Sequence, residues 1–131
     1  MNTDVLIVDD SVALRRQLTR IFEGLGLRCF QARDGVEALE RMQPGHTISL
    51  VVCDFNMPRM NGLEFLEALR AIERDRCVSV MMLSGEADPR LLQRARSLGV
   101  RSWVVKPFKE EGLVSTVLRL LGTPPPLAAA G

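Results

Sequence analysis

Five short apolar runs, separated by longer stretches of a different period, constrain this chain more than any other feature. Residues 5–8, 28–32, 50–53, 78–83 and 101–105 are rich in Val, Leu, Ile, Met or aromatics and have the length of strands. Several are too uniformly apolar for a sheet with one wet face, so they predict strands covered on both sides. Between them, apolar residues recur at helical spacing: Leu14, Leu18, Ile21, Phe22 and Leu25; Val36, Leu39 and Met42; Leu63, Leu66, Leu69 and Ile72; Leu91, Ala95 and Leu98; Leu113, Val117 and Leu120. Gly24, Gly26 and Gly99 follow helical stretches as C-terminal caps do, while Asp34-Gly35 and Asn61-Gly62 open two others. The pattern is (βα)5.

Such alternation predicts an α/β fold, a doubly wound and mostly parallel sheet joined by right-handed crossovers. With 131 residues, 47% of them hydrophobic, the chain can bury a core without a metal or disulfide staple. We expect one domain over residues 1–121, followed by a Pro- and Ala-rich tail or cut linker over 122–131. The 17 basic residues nearly cancel the 16 acidic ones, which argues against a broad footprint for nucleic acid or anionic lipid. No apolar run approaches the roughly 18 residues of a membrane span, and the first residues lack the basic start of a signal peptide. A cytoplasmic location without membrane insertion follows. Cys29, Cys53 and Cys77 are odd in number, lack CxxC spacing and sit in or beside apolar stretches, so they read as buried reduced thiols rather than disulfide or zinc ligands. His46 reads as solvated loop surface, and Arg90, Arg94 and Arg101 as a wet face.

In open parallel sheets ligands bind beyond the carboxyl ends of strands, where the strand order reverses. Here the first strand ends in Asp9-Asp10, the third in Asp54, the fourth in Ser84 and the fifth in Lys106; the second delivers nothing comparable. In a 2-1-3-4-5 order, the first and third strands would be neighbours and their three carboxylates would converge. Three anions together need protons, a cation or a lysine to compensate them. Oxygen-only ligands select a hard ion, Mg²⁺ above others, which also accepts a phosphate oxygen. The set therefore has the parts of phosphoryl transfer. Asp54, alone at its strand end, suits the nucleophile, and Asp9 with Asp10 suits metal holding. Lys106, one of two lysines in the chain, offers a compact charge for a phosphate oxygen, and the Ser84 hydroxyl can donate to phosphate or rotate away. Each residue also has a plainer reading: Asp10 or Ser11 as a helix cap, Asp54 as a turn residue, Ser84-Gly85 as loop, Lys106-Pro107 as a strand end. Those readings leave unexplained why all four groups meet at one edge.

Four segments carry a family resemblance: Val8-Asp9-Asp10-Ser11, Asp54-Phe55-Asn56-Met57-Pro58-Arg59-Met60-Asn61-Gly62, Leu83-Ser84-Gly85-Glu86 and Trp103-Val104-Val105-Lys106-Pro107-Phe108. In this order and spacing, over about residues 4 to 121, the chain resembles the receiver domains of bacterial two-component response regulators. The segment from Asp54 to Gly62 is especially similar to single-domain chemotaxis regulators. The resemblance implies a flavodoxin-like fold of strand order 2-1-3-4-5. It also implies that Asp54 accepts a phosphoryl group from a sensor histidine kinase or phosphotransfer protein, with Mg²⁺ held by Asp9, Asp10, Asp54 and the backbone carbonyl of Asn56. Asp9 would act through water. Ser84 and Lys106 match the family's hydroxyl and lysine, Lys106-Pro107 its cis peptide, and Asn56 and Glu86 the positions that tune phosphoryl lifetime. Trp103 stands where the family usually carries Tyr or Phe, the ring that turns inward when the hydroxyl moves. Output is then expected through the surface of the fourth helix, fifth strand and fifth helix onto a downstream protein. On this reading the chain catalyses only its own phosphorylation and dephosphorylation and is not otherwise an enzyme.

Rival outputs are a phosphate sink or relay, or a receiver fragment of a multidomain regulator. The rival from another class is a Mg²⁺-dependent phosphohydrolase of haloacid-dehalogenase type, whose first strand should end in Asp-x-Asp where this one has Asp9-Asp10-Ser11. A flavodoxin-like FMN carrier should have a hydroxyl-rich first loop, and this one is doubly acidic. The last helix, with Leu113, Val114, Val117, Leu118, Leu120 and Leu121, is more apolar than one buried face needs, which leaves partner surface or extra core contact as readings.

Overall fold

The computed structural model describes residues 3–72 and 78–122; Met1, Asn2, Cys77 and the tail residues 123–131 named above lie outside the described residues. In chain order the elements are β1 (Asp4–Val8), α1 (Val12–Glu23), β2 (Arg28–Ala32), α2 (Gly35–Arg41), β3 (Ile48–Asp54), α3 (Gly62–Ile72), β4 (Ser79–Ser84), α4 (Pro89–Ser97), β5 (Ser102–Val105) and α5 (Glu110–Leu120). The five strands form one parallel sheet ordered β2-β1-β3-β4-β5, so β1 and β3 are neighbours at the reversal.

Successive strand residues alternate between two cores, as the pleat requires. Leu6, Val8, Val51, Cys53, Val80 and Met82 face one cluster with Ala38 of α2, Phe65, Leu66 and Leu69 of α3, and Ala95 of α4. Val5, Ile7, Leu50, Val52, Met81 and Leu83 face the other, with Leu18 and Phe22 of α1 and Leu113 and Val117 of α5. Both faces of the sheet are therefore covered, and all five residues of β1 are buried.

Local chemistry sets where helices begin. The Ser11 hydroxyl accepts from the Leu14 N–H and the Asp34 carboxylate from the Glu37 N–H, so the plainer capping role holds for Ser11 and not for Asp10. Asn61 and Glu64 form a reciprocal capping box, each side chain accepting the other's N–H at 2.8 and 2.9 Å. Asp88 caps α4, with Pro89 as its first residue.

Boundaries and burial depart from expectation at definite places. β3 begins at Ile48 and runs through Asp54, because its ladder to β1 and β4 continues past the polar Ser49 and Asp54 that end the apolar signal. β4 and β5 each begin one residue later than the apolar runs suggest. In α3 the expected spacing of three drifts by roughly 60° per step around a helix. Ile72 accordingly stands 48% exposed, while Phe65, outside the expected series, is fully buried. Gly24 is right-handed helical at φ −63° and closes α1 without a left-handed turn; Gly26 (φ 84°) and Gly99 (φ 86°) supply that conformation instead. His46 is half-buried and accepts the Ile48 N–H on Nδ1 at 3.0 Å, so it is more than solvated loop. Cys53 is buried but Cys29 only half so, its thiol pushed up to about 11 by burial and by Glu23.

Candidate functional site

Strand register explains why the polar strand ends meet. Val8 pairs with Cys53, so the next residues, Asp9 and Asp54, stand side by side beyond the apolar ladder. Asp54 pairs with Leu83, which sets Ser84 one step further along, and Ser84 pairs with Val105, after which Lys106 follows. The Lys106 N–H donates to the Ser84 carbonyl at 2.7 Å, tying the last two strand ends together. The Lys106-Pro107 peptide is cis.

Asp9, Asp10 and Asp54 each offer a carboxylate oxygen within 4.8 Å of the others'. Asp9 and Asp54 are buried, at 1% and 6% exposure, while Asp10 is exposed. Lys106 Nζ reaches both buried acids, at 3.4 Å from Asp9 Oδ2 and 3.2 Å from Asp54 Oδ1. Asp9 Oδ1 accepts the Ser11 N–H at 2.8 Å, and Asp54 Oδ1 accepts the Asn56 N–H at 3.3 Å. These contacts do not outweigh burial. Desolvation, with Asp10 adding to it, raises the Asp9 carboxyl above its ordinary value against the pull of Ser11 and Lys106. Desolvation and the neighbouring Asp9 raise Asp54 likewise, against Lys106 and Asn56.

The donors are all hard oxygens, the acids are under-compensated by a single ammonium, and the third acid opens to solvent. A hard divalent cation fits that set. The loop bearing Asn56 is drawn tight by Gly62, whose N–H donates to the Phe55 carbonyl at 2.8 Å and where a Cβ would meet the Phe55 Cα at 2.9 Å.

Ser84 is fully buried, and its Oγ accepts the Glu86 N–H at 3.2 Å. The Trp103 indole Nε1–H donates to the Glu86 carbonyl at 3.1 Å, and its ring lies 5.4 Å from that of Phe55 at a 45° tilt. Ser84 and Trp103 thus hold the two ends of one residue's backbone. All the strand-end residues expected from the sequence gather at this edge, with Glu86 exposed beside them.

The second strand contributes more than expected. Gln31 Oε1 accepts from Arg15 Nε at 3.1 Å, and Arg15 Nη1 donates to the Asp9 carbonyl at 2.6 Å. Asp34, just past β2 and 4% exposed, accepts from Arg59 Nε at 2.8 Å in the loop after Asp54. Both contacts join residues far apart in sequence, and the helix start at Asp34-Gly35 is the one local signal near them.

The response regulator receiver domain family matches residues 5–118. The chain belongs to that family. It is 32% identical over 120 residues to the chemotaxis protein CheY1 of Helicobacter pylori, covering 91% of this chain and 97% of that one. It is 35% identical over 117 residues to the chemotaxis protein CheY of Pseudomonas aeruginosa, covering 88% and 94%. Among solved structures, Vibrio cholerae CheY4 superposes with a TM-score of 0.84 at 33% identity, over 92% of this chain and 99% of that one. The Borrelia burgdorferi CheY, solved as a CheX–CheY–BeF3–Mg complex, superposes with a TM-score of 0.83 at 31% identity, over 91% and 89%. This receiver domain is thus a signalling protein rather than an enzyme of the ordinary kind, which removes the phosphohydrolase and flavin-carrier readings. No helix among the described residues is long and apolar enough to cross a membrane.

Proposed function

We propose that Asp54 is the phosphoacceptor of this receiver and takes its phosphoryl group from the phosphohistidine of a sensor histidine kinase or phosphotransfer protein. A carboxylate oxygen of Asp54 attacks phosphorus, an O–P bond forms, the N–P bond breaks, and the histidine nitrogen leaves with the bonding pair. The observation that carries this reading is the position of Asp54 at the end of a central strand, 3.2 Å from Lys106 Nζ and grouped with two further carboxylates. Lys106 turns its ammonium from the two acids to a phosphoryl oxygen, and Ser84 donates its hydroxyl to another. Asp10, Asp54 and the Asn56 carbonyl, with Asp9 through water, would hold Mg²⁺, which would supply neutralisation of phosphoryl charge. Asn56 and Glu86, both exposed at the rim, govern the access of hydrolytic water and so the lifetime of the modification. The chain catalyses this phosphorylation and its reversal on itself alone.

Signalling follows from the shared hold on Glu86. When Ser84 Oγ turns to the phosphoryl group it leaves the Glu86 N–H, and the residue whose carbonyl anchors Trp103 is loosened. The effect is a population shift between two packings of the α4–β5–α5 surface, favoured by a contact that only the phosphorylated state makes. A groove of about 280 Å³ beside Trp103, lined also by Leu92, Arg96, Val100 and Val105, supports a downstream protein as the reader of that surface. We assign the receiver to residues 1–121, with 122–131 as tail or linker, and its place of work to the cytoplasm without nucleic-acid contact or membrane insertion.

Intact mass after incubation with acetyl phosphate and Mg²⁺ tests the chemistry. The wild type gains one phosphoryl group; Asp54→Asn and a chelated control gain none. Failure of the folded wild type to gain mass with donor in excess overturns the acceptor role and leaves a receiver that signals by binding alone.

A further inference from the structure

We propose that Arg59 and Asp34 are positioning residues for the metal site, their ion pair setting where the loop after β3 presents the Asn56 carbonyl; this rests on the reading of Asp9, Asp10, Asp54 and Asn56 as Mg²⁺ ligands. Arg59 holds φ 67°, the only positive φ at a non-glycine among the described residues. A side chain in that region is kept there only when its surroundings over-determine it. The surroundings here are a tight turn, in which the Met60 N–H donates to the Pro58 carbonyl across Arg59 at 2.7 Å, and one buried carboxylate. Arg59 Nε and Nη2 both close on Asp34 Oδ2, at 2.8 and 2.6 Å, while Asp34 Oδ1 accepts the Glu37 N–H at 2.9 Å. Both oxygens of Asp34 are thereby assigned, and the carboxylate cannot turn without losing either the helix cap or the arginine.

The next residue on each side repeats the contact. Met60 lies over Gly35 so closely that a Cβ there would stand 2.8 Å from the Met60 Cγ and Sδ. Two consecutive loop residues are thus seated on the first two residues of the α2 start. At its far end the same loop closes on itself through Gly62 and Phe55. Asn56 lies between Asp54, fixed in the sheet, and this double attachment, so its backbone has little freedom to move independently. α2 carries no metal ligand, yet its start fixes the segment that carries one. Outer contacts that orient metal ligands commonly change affinity by roughly 10- to 100-fold when removed.

The experiment is a Mg²⁺ titration of the full chain, followed by the fluorescence of Trp103, the chain's one tryptophan, and repeated by equilibrium dialysis. Arg59→Gly is the sharper variant, since glycine adopts φ 67° freely and removes the pair without adding strain. We expect Arg59→Gly to weaken Mg²⁺ binding by roughly tenfold while remaining folded in chelator, with a Tm lowered because the buried Asp34 carboxylate loses its partner. Arg59→Lys should recover part of the loss, and at saturating Mg²⁺ the acetyl phosphate mass gain should reach the wild-type extent. Asp34→Asn keeps the helix cap, so it should weaken binding similarly, and adding Arg59→Gly to it should cost nothing further. A Mg²⁺ affinity for Arg59→Gly equal to the wild type, or losses that simply add in the double variant, overturns the positioning role. Absence of Mg²⁺ binding by the wild type itself would instead overturn the metal reading, and this inference with it.

Discussion

Asp4 opens β1 and Asp9 follows its last residue, each 1% exposed, and the protein treats them in opposite ways. Asp4 is gripped by Arg28, Nε on Oδ1 at 3.0 Å and Nη2 on Oδ2 at 2.6 Å, and also accepts from the Thr47 hydroxyl. Those hydrogen bonds, Arg28 first and Thr47 second, hold its carboxyl below the usual value despite burial. Asp9 has one backbone N–H and an ammonium at 3.4 Å shared with Asp54, and its carboxyl is pushed up by desolvation and by Asp10. A fork of guanidinium donors completes a buried acid and makes it architectural. An acid left to a shared point charge is kept available for something from solution. The amino edge of the sheet spends its charges on stability, and the carboxyl edge holds them in reserve.

The contrast can be broken most severely at Lys106. Lys106→Ala should slow phosphorylation by acetyl phosphate about a hundredfold, the scale of losing a preorganised charge aimed at the transferring group, measured by time-resolved intact mass. Asp4→Asn should leave that rate unchanged but lower Tm by on the order of 5 °C, measured by calorimetry. The sign of its pH dependence follows from the lowered carboxyl. The Asp4 contribution is fully present above its unfolded value near 3.8 and is lost as pH falls through the folded one, so wild type and Asp4→Asn should converge in stability below that value. Asp54→Asn should behave oppositely in chelator at neutral pH. It removes a buried charge whose ionised form is disfavoured, so Tm should rise, by less than Asp4→Asn lowers it. Ser84→Ala should have the smallest effect on chemistry, with phosphorylation largely intact but the Trp103 fluorescence response and partner binding weakened. A full response from that variant would remove the link through Glu86.

Much of the carboxyl edge was legible because a parallel sheet aligns its strand ends. Asp9, Asp54, Ser84 and Lys106 each follow an apolar run directly, so finding the runs nearly finds the site. What escaped depended on partners distant in the chain or on backbone atoms. Asp34 and Arg59 are 25 residues apart and Arg15 and Gln31 are 16 apart, with no local pattern to join them. The partner of Trp103 is the carbonyl of Glu86, an atom every residue possesses. Phe65 was missed and Ile72 misplaced because a series spaced by three walks around a helix, so the face that wins is the one nearest the sheet.

The sheet order also divides the molecule by tempo. β1 and β3, which deliver the acids, are interior strands paired on both sides, and the residues of β1 are sealed from water between two cores. Their amides are expected to exchange only through opening of the whole domain, measured by native-state hydrogen exchange. β5, which carries Trp103 and leads into Lys106, is a four-residue edge strand with Val105 44% exposed. Its hydrogen bonds are expected to exchange by local opening, faster than those of β1 and β3. A stationary anvil therefore lies beside a compliant reed: the blow lands where nothing yields, and the note is sounded at the free edge.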